Sequence, residues 1–268
     1  MEKTHLTSFW RTVGSVPVFV EHWSELDSTN DRARQLCEQS DCVVLITAQH
    51  QRRGRGRHGR AWVDVPGTAV LMTLGIPRSW PESLFPGSVL MAAAALGVLG
   101  EVERYAPPEW LRLKYPNDIW AKLPDHPSGK LAGMLLETDY IGSERRGCMI
   151  GVGLNVASSP AISNAPYPIR CLAEIAQVNL PSTTELAERI LECILGVLVH
   201  ESAEVAIRRW QKELGLCGRS LALRDSTRRV RVVGYASDGM SLCAEVIGNG
   251  ERITITNADT LLYDPFEL

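Results

Sequence analysis

An α/β (α+β) domain built on a mixed sheet, followed by a small all-β unit, is the fold this sequence predicts. Apolar, β-branched runs of strand length alternate with helical segments up to about residue 104. After Pro107-Pro108, four strand-like stretches follow one another with short turns. From about Gly218 the chain changes to short alternating segments separated by Ser237-Asp238-Gly239 and Gly248-Asn249-Gly250. A length of 268 residues accommodates one sizeable core plus a small appended unit, divided here as 1–215 and 216–268.

Residues 1–25 are short and mixed, with a strand-like segment at 17–23. Asp27-Ser28-Thr29-Asn30 offers N-cap residues, and Ala33, Leu36 and Cys37 recur at helical spacing behind it. The run 42–47 is continuously apolar and predicts a buried strand, as does 69–74. Residues 88–104, rich in Ala, Leu and Val and free of Pro, predict a buried helix. Strands are predicted at 111–115, 118–120, 131–137 and 148–153, with 121–129 as an exposed hairpin loop. Residues 157–169 read as loop. Ser182-Thr183-Thr184-Glu185 is a capping box, and Leu186, Ile190, Ile194, Val197 and Leu198 mark the amphipathic helix it starts. A second helix carries Trp210. The segments 220–223, 229–235, 241–247 and 252–256 predict a small β-barrel.

Bulk composition excludes several classes. The hydrophobic fraction is 45%, the charged fraction 22% and the net charge -3, so no polyanionic partner is called for. Seven scattered cysteines without a C-x-x-C pair argue against a disulfide framework or structural zinc. Neither a signal-like N-terminus nor a membrane-length apolar stretch is visible, which predicts a cytoplasmic protein without membrane contact.

Against this background, Arg52-Arg53-Gly54-Arg55-Gly56-Arg57-His58-Gly59-Arg60 stands out. Five arginines and three glycines in nine residues concentrate positive charge inside an acidic protein. Like charges so close repel, so an anion is expected to complete the folded arrangement, and without it the loop should open readily. Glycine lets backbone N–H groups approach phosphate, and arginine adds bidentate contacts. A solvated charged loop and an RGG-like RNA-binding segment are the competing readings, but a single insert between buried strands favours a small phosphorylated or adenylated ligand. Lys114-Tyr115-Pro116-Asn117-Asp118 joins a lysine, an amide and a carboxylate, a minimal kit for phosphate and Mg²⁺ that a structural Asn-Asp turn also explains. Lys130-Leu131-Ala132-Gly133 opens a strand; taken alone, Lys130 reads as a surface lysine more readily than as a catalytic one.

Together these segments resemble the catalytic domain of biotin–protein ligases. The resemblance rests on Leu26-Asp27-Ser28-Thr29-Asn30, Gln51 through Arg60 with Trp62, Lys114 through Asp118, Lys130 through Gly133, and Gly151-Val152-Gly153-Leu154-Asn155. It runs from about residue 20 to 215 and implies a class II synthetase-like core with an SH3-like C-terminal β-barrel. It also implies ATP and biotin as substrates, with Mg²⁺. Biotin would meet Ser28, Thr29, Asn30, Gln51, Gly54, Arg55, Gly56, Arg57, Trp62 and Lys130. The ureido end would bond Ser28, Thr29 and Gln51, while Arg55-Gly56-Arg57 would hold the carboxyl and the adenylate phosphate. ATP would meet Arg57, Arg60, Lys114, Asn117, Asp118 and Asn155, with Asp118 as the metal ligand. Lys130 and Arg57 would be the catalytic cations, and no enzyme nucleophile is required.

The implied acceptor is the biotin-carrier domain of a biotin-dependent carboxylase. Members occur as monomers and dimers, which leaves a homodimer open. Only about 25 residues precede the Asp27 motif, too few for the winged helix–turn–helix of the family's repressors, so no nucleic-acid binding is expected. Tyr115 replaces the family's usual Trp, and the stretch from Asp118 to Lys130 is a few residues longer than usual. Lipoate ligases and octanoyl transferases share the implied fold. Their Gly-Gly-Gly stretch is absent here, where Arg52-Arg53 is followed by Gly-Arg-Gly-Arg-His-Gly-Arg. A non-catalytic nucleotide- or RNA-binding protein on the same scaffold is the alternative from another class.

Overall fold

The run at 43–48 is continuously apolar because both of its faces are buried. In the computed structural model, Val43 and Leu45 face one core and Val44, Ile46 and Ala48 face another. The structure describes residues 4–81, 86–142, 144–163, 165–224 and 227–268.

This run belongs to β3 (Val43–Gln51), near one end of an eight-stranded sheet. Its companions are β1 (His5–Val13), β2 (Val16–Leu26), β4 (Ala69–Pro77), β5 (Leu111–Lys114), β6 (Asp118–Ala121), β7 (Gly129–Ile141) and β8 (Glu144–Asn155). The strand order is β1-β2-β3-β4-β8-β7-β6-β5. Only β2 and β3 run parallel; every other neighbouring pair is antiparallel, so the sheet is mixed as expected. Helix α1 (Thr29–Gln39) is the β2–β3 crossover and covers one face. Helices α2 (Gly87–Val102), α3 (Thr183–His200) and α4 (Ala203–Leu214) pack on the other.

The local signals account for these elements. Ser182 accepts the Glu185 N–H at 3.2 Å, starting α3 at the predicted capping box. Helix α2 is buried nearly all round, as its Ala/Leu/Val composition implies. Residues 1–25 differ from expectation, because β1 and β2 form a long hairpin. Strand β1 lies at the sheet edge with Leu6, Phe9 and Trp10 exposed. An element with no buried face leaves no alternation of hydropathy to read.

The C-terminal segment forms a second, antiparallel sheet of short strands. These are β9 (Ser220–Leu223), β10 (Arg229–Tyr235), β11 (Leu242–Val246), β12 (Arg252–Ile255) and β13 (Leu261–Leu262), in the order β12-β11-β10-β9-β13. Val230, Val232, Leu242 and Ala244 join the larger core. Trp210 of α4 is fully buried, with its ring 6.4 Å from both Tyr115 and Tyr235, so it ties this sheet to the end of β5.

Candidate functional site

On the α1 side of the sheet, β7 and β8 present Gly133 opposite Gly153. With no side chains there, the backbone forms the bare floor of a slot. Trp62 lies across that floor. A Cβ on Gly153 would stand 2.4 Å from two atoms of its indole, and one on Gly133 3.2 Å from the ring. The slot is narrow and is lined by Ser28, Thr29, Asn30, Gln51, Arg55 and Trp62 over this glycine floor.

Its polar end is built from the start of α1 and the end of β3. Ser28 occupies the N-cap position, yet its hydroxyl caps nothing and remains available to the slot. The first helical N–H, that of Thr29, instead donates to Gln51 Oε1 at 2.8 Å, and the Thr29 hydroxyl donates to the same oxygen at 3.1 Å. The Thr73 hydroxyl lies 2.8 Å from Thr29 Oγ1 and 2.5 Å from Asn30 Oδ1, and Asn30 Nδ2 donates to Glu137 at 3.0 Å. Ser28, Thr29 and Asn30 are all buried. Buried groups held this rigidly make a geometrically specific recognition surface.

The Arg/Gly loop corrects the expectation of unbalanced repulsion, because partners from distant elements neutralise most of it. Arg55 forms a bidentate pair with Asp31 at 2.8 Å to each oxygen and also reaches Glu137. Hydrogen bonding from Arg55 holds the Asp31 carboxyl below the usual carboxylate range. Burial raises Glu137, but hydrogen bonds from Arg55 and Asn30 outweigh it and leave that carboxyl low. Arg52 pairs with Asp27 at 2.8 Å and Glu25 at 3.3 Å, and Arg60 pairs with Asp259 at 2.7 Å. Arg57 differs: its guanidinium donates to the neutral amide oxygen of Asn117 at 3.0 Å, with no carboxylate partner among the described residues. So placed, Arg55 anchors the loop, while Arg57, like Arg53, has no acidic partner among the described residues and turns to Asn117.

The loop itself is closed by backbone bonds. Trp62 N–H donates to Gly54 O at 2.9 Å and Gly56 N–H to Arg60 O at 2.7 Å. Gly54 is required by close approach, because a Cβ there would stand 2.7 Å from the Trp62 carbonyl oxygen.

Beyond Trp62 lies a second cluster. A register shift where β6 meets β7 pairs Trp120 with Lys130. The lysine ammonium then lies 2.7 Å from Asp118 Oδ1 and 5.7 Å from the Trp62 ring centroid. Both partners are largely buried. Asn117 donates to Met134 O at 2.7 Å, which fixes the amide that receives Arg57. Lys114 is enclosed by the rings of Trp120 at 3.7 Å, Tyr263 at 5.2 Å and Tyr167 at 5.9 Å. Burial pushes its ammonium pKa down to about 8, against the opposing pull of Asp118 and Asp264. At the end of β8, Asn155 is buried; its amide nitrogen donates to Arg170 O at 3.0 Å while Oδ1 lacks a partner.

The fold thus brings together Ser28, Thr29, Asn30, Gln51, Arg55 and Trp62 in the slot, and Lys114, Asp118 and Lys130 beyond it, joined by Arg57–Asn117. Arg60 lies in neither group and turns instead to the C-terminal segment. Asp31, Thr73, Glu137, Tyr167, Asp259 and Tyr263 escaped the sequence reading. Asp31 alone carried a signal, as a carboxylate one position beyond the Asp27–Asn30 run.

Residues 25–155 match the model of the Biotin/lipoate A/B protein ligase family. The biotin–acetyl-CoA-carboxylase ligase of Mycobacterium tuberculosis is 38% identical over 122 residues, 45% of this chain and 41% of that protein. The bifunctional ligase/repressor BirA of Salmonella typhimurium is 32% identical over 194 residues, 70% of this chain and 57% of that protein. The matched segments therefore span about half the length of these relatives. The biotin protein ligase of Leishmania major, solved in complex with biotinyl-5-AMP, superposes with a TM-score of 0.61 at 23% identity, covering 89% of this chain and 98% of that one, and so shares the fold. Over residues 25–155, just under half of its length, this chain is thus similar to the biotin/lipoate A/B protein ligase family.

Proposed function

We propose that this protein is a biotin–protein ligase that converts biotin and ATP to biotinyl-5'-AMP and then transfers biotin to a lysine of a carrier domain. The observation that carries this reading is one continuous arrangement. A rigid polar pocket at Ser28, Thr29 and Gln51 opens along the Gly133–Gly153 floor toward Lys130 and Arg57. The relatives from M. tuberculosis and S. typhimurium, named as ligases, support it.

Ser28, Thr29 and Gln51 would bond the ureido group, rejecting analogues that leave these buried groups unpaired. The valeryl chain would pack against the indole of Trp62, which itself covers the Gly133–Gly153 backbone. A carboxylate oxygen of biotin attacks the α-phosphorus of ATP, the bond to the bridging oxygen breaks, and pyrophosphate leaves. Lys130, held by Asp118, would draw the two anions together and stabilise the charge that builds at phosphorus. Arg57 would hold the adenylate phosphate. The acceptor's neutral amine then attacks the acyl carbon, AMP departs with the bonding electrons, and the amine loses its proton.

Lys114, Asn117, Asp118 and Asn155 would flank the nucleotide, with residues 1–215 carrying the chemistry. The unpartnered Asn155 Oδ1 and the Asp118 carboxylate are oxygen donors suited to Mg²⁺. Bound there together with the ATP phosphates, the ion would neutralise charge on the leaving pyrophosphate. Among the described residues no helix is long and apolar enough to cross a membrane.

Biotin-dependent exchange of labelled pyrophosphate into ATP tests the proposal, with lipoate run in parallel. Exchange with biotin supports it. Exchange with lipoate alone moves the protein to the lipoate branch, and exchange with neither favours a non-catalytic binder.

Arg57→Gly is expected to release the adenylate, raising labelling of bystander proteins several-fold, since a desolvated charged hydrogen bond is lost. Labelling by the variant at the unmutated level would exclude this role. Lys114 supplies a pH dependence. With its ammonium pKa near 8, the free enzyme loses this phosphate-binding charge as pH rises, so KM for ATP should climb from about pH 7 to about pH 9. Lys114→Met should start high and stay flat over the same range. For stability the sign is opposite. Between about 8 and the usual lysine range the unfolded chain holds a proton that the folded chain has released, so folding is favoured as pH rises across that window.

A further inference from the structure

The Arg/Gly loop meets the C-terminal sheet through one carboxylate. Arg60 Nη2 lies 2.7 Å from Asp259 Oδ2, and His58 Nε2 lies 3.7 Å from the same oxygen. Arg60 and Asp259 stand 199 positions apart. Asp259 belongs to a single 3-10 turn, Ala258–Thr260, leading into β13, and its backbone is fixed within that segment. Its N–H donates to Asn257 Oδ1 at 3.0 Å, and its carbonyl accepts from Arg224 Nε at 2.8 Å. The backbone therefore holds the turn, while the carboxylate is directed across to the loop. Two further contacts bind the same segment to the neighbouring strands: Tyr115 N–H donates to the Tyr263 hydroxyl at 2.9 Å, and the Ser128 hydroxyl meets Asp264.

We propose that Asp259 is a positioning residue that latches the Arg/Gly loop onto the C-terminal sheet through Arg60 and His58. The loop's other ties are Arg52 to Asp27, Arg55 to Asp31 and Glu137, Arg57 to Asn117, and its own backbone bonds. A latch at the far end keeps that end of the loop from lifting and holds Arg60, which the resemblance assigns to ATP, against the C-terminal segment. Arg60 is 60% exposed and Asp259 32%, so the pair is weak enough to open when ligand enters or leaves. The consequence for ATP rests on the ligase reading; the latch itself does not.

Limited trypsin digestion of the ligand-free full chain tests the latch, because Arg52, Arg53, Arg55 and Arg57 are cleavage sites inside the loop. Asp259→Asn should raise cleavage there by roughly two- to fivefold, the range open to a partly exposed ion pair. Asp259→Arg should raise it further, since it places like charge beside Arg60. Combining Asp259→Arg with Arg60→Glu should return cleavage at the remaining sites toward the unmutated rate, with the thermal midpoint unchanged throughout. In pyrophosphate exchange, Asp259→Asn should raise KM for ATP by a similar factor and leave kcat and KM for biotin in place. Unmutated cleavage rates in both single variants would overturn the latch. Failure of the charge swap to restore protection would overturn it as well, by showing that Asp259 only supports the small sheet. Restored protection in a protein that shows no biotin-dependent exchange would sustain the latch and reject the ligase reading instead.

Discussion

Replacing Lys130 with methionine is expected to lower biotin-dependent pyrophosphate exchange by about 10²–10³-fold, the usual cost of deleting one preorganised group that meets developing charge. The geometry explains a loss of this size. Lys130 is fixed by the β6–β7 register shift and the Asp118 pair, so its charge needs no reorganisation when phosphorus becomes more negative. Methionine keeps the stem that packs near Trp62 and Gly133, which separates charge from packing. Most of the effect should fall on kcat, because the interaction strengthens in the transition state. The check is exchange kinetics beside a thermal melt. Activity within a few-fold of the unmutated protein would remove Lys130 from the chemistry.

Gly153→Val should abolish high-affinity biotin binding by more than about 100-fold while costing roughly 1–3 kcal/mol of stability through overpacking. The added Cβ falls 2.4 Å from Trp62 Cε2 and Cζ2, so the indole, which rests on two paired strands with its backbone tied to Gly54, must be pushed into the slot. Isothermal titration with biotin and a denaturant melt measure the two effects. The double variant Gly153→Val/Trp62→Ala should recover much of the stability, since the clash is gone, without recovering biotin binding. A Gly153→Val protein that binds biotin normally would show that the glycine floor is not the ligand's path.

These expectations draw on two levels of information. Whereas the site roles of Ser28, Thr29, Gln51 and Lys130 entered only through the resemblance, Lys114, Asn117 and Asp118 were singled out by residue type within one short segment. The helix at 183–200 was legible for the same reason, since its cap and first turn are neighbours in sequence. The β1 strand was not, because its solvent-facing position imposes no pattern.

The charge of the Arg/Gly loop is the most instructive case. Read locally, Arg55 is one of five repelling cations. In the folded chain it is among the best-neutralised groups of the loop, through Asp31 and Glu137. Sequence alone determined the alternation of helix and strand, the two-sided burial at 43–48 and the concentration of arginine and glycine at 52–60. All of these depend on periodicity or turn chemistry within a few residues. Only the tertiary structure decided that Arg55 anchors, that Arg57 stays without an acidic partner and that Arg60 reaches Asp259. It alone placed Trp62 on the Gly133–Gly153 floor as well. Those outcomes depend on which distant carboxylates and glycines the sheet register carries to the loop. A side chain's charge environment is set by neighbours in space, and for Arg60 that neighbour lies 199 residues away along the chain.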